Sequence, residues 1–139
     1  MRHLPFSFSA LLILIFAACH STQRAPVSKL VGPTWTLSSL MGASPDASKF
    51  PTGLPTLNFL EGEGLAGFAG CNNFSGSYRL AGSEITLDPG AVTRKACPGS
   101  GESDFLVALQ NAKILSVEKE KLTLVDGTTE LMSFVQKKE

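Results

Sequence analysis

Residues 64–78, reading Gly-Leu-Ala-Gly-Phe-Ala-Gly-Cys-Asn-Asn-Phe-Ser-Gly-Ser-Tyr, constrain the chain more than any other stretch. Gly67 and Gly70 bracket Phe68 in a segment that reads as strand, and glycine inside a strand marks a bulge, a bend or close backbone approach. Cys71-Asn72-Asn73 then reads as a corner, because asparagine tolerates left-handed geometry and bonds its own backbone. Phe74 and Tyr78 anchor the returning strand. The bland reading is a tight sheet corner shaped by Gly67, Gly70, Phe74, Gly76 and Tyr78. The sharper reading is a recognition surface of Asn72, Asn73, Phe74 and Tyr78. On that second reading, Asn72→Ala abolishes partner capture and leaves stability nearly unchanged.

The N-terminus is a different kind of segment. Met1-Arg2-His3 is a short basic start, and residues 6–18 are apolar apart from Ser7 and Ser9. That run is short for a membrane span and fits a secretory signal. Ala17-Ala18 precede Cys19, which resembles a bacterial lipobox, with Phe16 where leucine is usual. The expectation is a signal peptide over 1–18, lipid on Cys19 and a polar tether over 19–31, with the folded domain at 32–137. Each buried acyl CH₂ group contributes about 0.8 kcal/mol to such an anchor. His20 after the anchor cysteine, by resemblance to proteobacterial lipoproteins, implies export to the outer membrane, facing the periplasm.

Loss of residues 1–18 removes only Arg2 from the charge count, leaving eleven Lys/Arg against twelve Asp/Glu. No basic cluster remains, so nucleic acid is not an expected partner. Of three cysteines, a lipidated Cys19 leaves Cys71 and Cys97, a pair in an oxidising compartment. Their spacing excludes a CxxC redox motif, and a lone pair in that compartment reads as a structural disulfide rather than two free thiols. In the chain-entropy account such a loop closure contributes roughly 3.5 kcal/mol.

Taken in order, residues 35–40 read as a strand with Trp35 and Leu37 on one face, and 41–55 as a Pro/Gly-rich loop. Residues 56–60 and 65–70 form a hairpin, as do 75–80 and 84–87, with Asp88-Pro89-Gly90 ending the second. Residues 91–97 read as a short extended piece delivering Cys97. Ser100 is placed to cap a helix from Gly101, with Glu102 and Asp104 in its first turn and Phe105, Leu106, Leu109, Ala112 and Lys113 at helical spacing along one stripe. Residues 114–117, 121–125 and 130–135 form a closing meander, with Asp126-Gly127 as a hairpin turn. Strands, one helix, then strands indicates α+β: a mainly antiparallel small curved sheet or barrel-like meander with one helix packed against it.

Trp35-x-Leu37, Gly70-Cys71-Asn72-x-Phe74-x-Gly76-x-Tyr78 and Thr93-x-x-Ala96-Cys97 before an acidic helix resemble the META domain. That is the family of small bacterial envelope lipoproteins akin to HslJ. The resemblance covers roughly residues 30–136, and Leu122-x-Leu124 and Leu131-x-x-Phe134 also fit. Arg94-Lys95 depart from it, standing where the family often carries an apolar residue before Ala-Cys. The resemblance implies an α+β fold and links to heat or envelope stress, antibiotic tolerance and, in some members, motility or virulence. It supplies no agreed catalytic residues.

Chemistry is mostly excluded. The only histidines are His3 and His20, so the domain has no Ser-His or Cys-His pair and no His-containing zinc site. Gly62-x-Gly64-x-x-Gly67 matches the dinucleotide fingerprint in letters, but strand and corner follow it where that fingerprint needs a helix. Glu61 and Glu63 read as solvated turn residues. The expectation is therefore a monomeric, non-enzymatic lipoprotein with no cofactor or metal. Its partners are the membrane, through Cys19, and an unidentified envelope protein or cell-wall component met by a sheet edge or the loop 41–55. The alternatives are a carrier of a small apolar ligand in a barrel cavity and, last, a carboxylate-based hydrolase.

Overall fold

A computed structural model describes residues 27–137. The signal, the lipid-anchor cysteine and most of the tether lie outside the described residues. Helix α1 (Val27–Leu30) is a single turn. Strands β1 (Thr34–Leu40), β2 (Thr56–Phe59), β3 (Gly64–Phe68), β4 (Asn73–Ala81) and β5 (Glu84–Val92) follow. Helix α2 (Gly101–Asn111) then leads into β6 (Ile114–Glu118), β7 (Lys121–Asp126) and β8 (Thr129–Gln136).

Among the described residues these eight strands form a closed antiparallel barrel in sequence order, and β8 returns to pair with β1. The barrel-like meander with one packed helix is thus a complete ring. Alternation is clean along the walls: Trp35 and Leu37, Leu57 and Phe59, Ile85 and Leu87, and Leu122 and Leu124 all point inward and are buried. Phe134 of β8 and Phe105 of α2 meet inside the barrel with ring centroids 6.3 Å apart, and Phe74 lies 6.2 Å from Phe105. Phe59 and Tyr78 meet edge to face at 5.0 Å.

The ring has one thin seam. β5 and β6 pair only at Glu84↔Ile114, flanked by bonds from Ile85 N–H to Lys113 C=O and Leu115 N–H to Ser83 C=O. Beyond that point the strands part, and α2 runs back along β5 and onto β8 to fill the space. Its buried stripe is Gly101, Phe105, Ala108 and Leu109, with Ala112 just past its end; Leu106 is only partly covered.

Several boundaries differ from the sequence reading. Asp88-Pro89-Gly90 does not end β5, which runs on to Val92. Ile85 N–H points toward β6, so by alternation the nitrogen of Pro89 faces the open seam, where no ladder bond is needed. Ser100 gives no side-chain cap to α2; its carbonyl accepts Asp104 N–H, and its hydroxyl lies 3.2 Å from the Asp104 carboxylate. The loop 41–55 is not wholly a surface feature, because Phe50 is buried. Leu30 is buried as well, with its carbonyl accepting the Trp35 indole N–H at 3.1 Å, so packed structure begins before residue 32. A closed ring also removes most of the free sheet edge expected as a contact surface.

Close approach explains Gly67 and Gly76 within their strands. A Cβ on Gly76 would stand 2.0 Å from the Asp88 carbonyl oxygen, and one on Gly67 would stand 2.1 Å from that of Thr56 and 2.6 Å from the Phe74 ring. Both positions admit only hydrogen.

Candidate functional site

The corner between β3 and β4 gathers most of the residues that the sequence singles out. Gly70 takes φ +102, a conformation rare for L side chains, and turns the chain over the Phe50 ring. Cys71 follows and is bridged to Cys97, with Cα atoms 6.2 Å apart, inside the range a disulfide requires.

Asn72 is buried, and its hydrogen-bonding capacity is fully used. Its backbone N–H donates to Glu102 Oε2 at 2.6 Å, and its Nδ2 donates to Glu102 Oε1 at 2.9 Å and to the Lys95 carbonyl at 3.1 Å. Its Oδ1 accepts from Lys95 N–H at 2.7 Å and from the Thr93 hydroxyl at 3.0 Å. Thr93 in turn accepts the Asn73 N–H at 3.1 Å. One amide therefore ties the corner to residues 93–97 and to the first turn of α2. Buried polar networks with every member satisfied rigidify a structure. Glu102 stands in the first turn of α2, as its sequence position implies; its partnership with Asn72, thirty residues away, has no local sequence signal.

The four residues of the proposed recognition surface do not share a surface. Asn72, Phe74 and Tyr78 are buried, and of the four only Asn73 is exposed. Phe74 packs against Phe105, and the Tyr78 hydroxyl donates to the Leu60 carbonyl at 3.4 Å. The pKa of Tyr78 is raised, chiefly because burial penalises the phenolate and secondarily because Glu63 is near. Trp35, Gly67, Gly70, Gly76 and Thr93 each hold a structural position described above.

Two hollows flank α2. With 3.6 residues per turn, Glu102 and Leu106 fall on one side of the helix and Asp104, Val107 and Asn111 on the other. The first hollow, about 430 Å³, is bordered by residues 92–96, Asn72, Glu102 and Leu106. The second, about 390 Å³, lies where Leu40, Met41 and Leu131 approach Val107 and Ala108. Met41 and Val107 are 61% and 56% exposed there, and the Lys49–Asp104 ion pair, 3.3 Å, sits on its rim. In the loop above it, Asp46 is held below its usual pKa by the Ser48 hydroxyl and backbone N–H, at 2.7 and 2.9 Å. Among the described residues no group of three or more His, Cys, Asp or Glu side chains is arranged to hold a metal ion.

A closed eight-stranded antiparallel meander, stapled by a disulfide and plugged by one helix, defines a small β-barrel class. Residues 28–139 match the META domain model, and the chain belongs to the META domain family. Its fold is similar to that of a protein from Burkholderia xenovorans solved by NMR, at 22% identity and TM-score 0.64, over 98% of this chain and 100% of that one. A second NMR structure is similar at 22% identity and TM-score 0.62, over 80% and 95%. A crystal structure of a DUF4847 family protein from Bacteroides vulgatus is similar at 14% identity and TM-score 0.60, over 82% and 99%. These likenesses concern the fold. Comparison with curated proteins gave no significant match.

Proposed function

We propose that this protein is a non-enzymatic, monomeric envelope lipoprotein, held by lipid on Cys19 at the periplasmic face of the outer membrane. Its META barrel binds another envelope component, in a response to heat or envelope stress or in antibiotic tolerance. The single observation that carries the binding reading is the pairing of Met41 and Val107, two large apolar side chains left exposed in one hollow. Apolar groups gathered within a polar rim mark contact sites on small soluble domains. The inward positions of the barrel are meanwhile filled by the protein's own Trp35, Phe59, Phe105, Met132 and Phe134, which weighs against carriage of a ligand there. The stress association rests on the family.

The test is a photo-reactive side chain at position 107 in cells carrying the full-length chain. A discrete adduct with one envelope protein, lost when Met41→Asp is added, is the expected result. A bare protein with no adduct overturns the contact reading. A native mass spectrum showing an extra mass that disappears on denaturation replaces it with the carrier reading. Retention of the chain in membranes after Cys19→Ser overturns the lipid anchor.

A further inference from the structure

The other flank of α2 carries a different feature. Residues 93–97 leave β5 with neither turn nor bend. Thr93 N–H donates to the Asn73 carbonyl, and Lys95 uses both its N–H and its C=O on the Asn72 side chain. Alternate residues of an extended strand bond to the same side in this way. The backbone groups of Arg94 and Ala96 consequently point away from Asn72, and among the described residues no hydrogen bond uses them. The disulfide at Cys97 and the Asn72 amide hold the segment in place, so this edge is preorganised.

The side chains around it have a consistent character. Arg94 and Lys95 are exposed cations with no ion pair among the described residues, and both oxygens of Glu102 are engaged by Asn72. Beside them Val92, Ala96 and Leu106 give the hollow an apolar wall. Free strand-like backbone supplies affinity for an extended chain, and the flanking side chains supply its sequence preference. Arginine pairs carboxylates bidentately, which sets the charge of the partner.

We infer that residues 93–97 are a docking edge for an extended acidic peptide segment. Its backbone pairs with Arg94 and Ala96, its carboxylates meet Arg94 and Lys95, and an apolar side chain enters the hollow beside Leu106. This edge is separate from the Met41–Val107 hollow and stands or fails without it.

The test titrates the ¹⁵N-labelled oxidised protein with an end-blocked hexapeptide of alternating glutamate and valine. A lysine–valine counterpart serves as the control. Amide shifts centred on Arg94 and Ala96 with the acidic peptide are expected, with roughly tenfold or greater weakening by the R94E/K95E double substitution. The backbone bonds of Lys95 survive that substitution, so an unchanged thermal midpoint is expected alongside it. Met41→Asp leaves the titration unaltered. Equal binding of the basic peptide, shifts centred elsewhere, no binding, or undiminished binding by R94E/K95E each overturns the inference. Binding to phosphatidylglycerol vesicles without binding to the acidic peptide overturns it in favour of a lipid surface.

Discussion

Replacing Asn72 by alanine separates the two readings of the corner. The change deletes the side-chain hydrogen bonds to Lys95 C=O, Lys95 N–H, the Thr93 hydroxyl and Glu102 Oε1, and a long, weak one to Cys71 Sγ. The backbone bond from residue 72 to Glu102 Oε2 is retained. Each neutral bond contributes about 1 kcal/mol net, and the bond to the carboxylate somewhat more. Thr93 and Lys95 are exposed, so water re-satisfies part of what they lose. The balance is a loss of about 3 kcal/mol. For a domain of this size that lowers the thermal midpoint by about 12 °C. Asn72→Asp sharpens the test, because it keeps the shape but sets a second carboxylate against Glu102 Oε1, 2.9 Å from the original donor. Like charges at that distance raise the folded-state pKa of the pair above its unfolded value. The native state then holds more protons, and stability is recovered as pH falls through that raised folded-state value toward the ordinary carboxylate value. Circular dichroism melts of the oxidised protein at neutral and mildly acidic pH measure both effects. A midpoint drop below about 3 °C for Asn72→Ala, or no acid recovery for Asn72→Asp, refutes the account and returns Asn72 to recognition.

Gly76→Ala places a methyl group against the Asp88 carbonyl, a backbone atom that cannot move aside; loss of soluble folded protein is expected on expression. Substituting both Cys71 and Cys97 by serine costs roughly 3.5 kcal/mol in the loop-closure account, read by denaturant midpoint against the oxidised parent. Tyr78 titrates above its ordinary value of 10.0, mainly through burial, and ultraviolet difference spectra follow its phenolate. Its raised pKa contributes stability that is full below the ordinary tyrosine value and is lost as pH climbs through the folded-state value. Glu63→Gln moves the titration only slightly downward, since its charge is the lesser cause.

Local patterns carried most of the wall. The alternation at Trp35/Leu37 and Leu57/Phe59 and the Asp126-Gly127 turn are short-range signals that stand where expected. Of the α2 stripe, Phe105, Leu109 and Ala112 are buried, while Leu106 is only partly covered and Lys113 is exposed. Ring closure by β1 and β8 was not legible, because Trp35 and Gln136 meet across nearly the whole chain. Phe50 was hidden for another reason. Its surroundings are rich in proline and glycine, yet its ring lies against Gly70 and Gly101, which only the folded chain brings to it. Pro89 misled because proline stops a strand only where its nitrogen must donate. The corner motif was visible as a motif, but its meaning depended on burial. Phe74 and Tyr78 alternate with exposed Ser75, Ser77 and Arg79 in β4, which is the pattern of an inward face. Asn72 required knowledge of Glu102, brought near by packing alone.

The pairing of β1 with β8 also fixes an order in time. A chain that emerges from its N-terminal end presents Trp35 first, yet the strand that covers one side of β1 is the last to arrive. Until then the growing sheet has two raw edges, and Leu37 lacks its neighbour Phe134. Distant pairings of this kind are slow to form. The barrel therefore cannot lock until β8 is free, and a truncation that removes Thr129–Gln136 leaves the first strand without its mate.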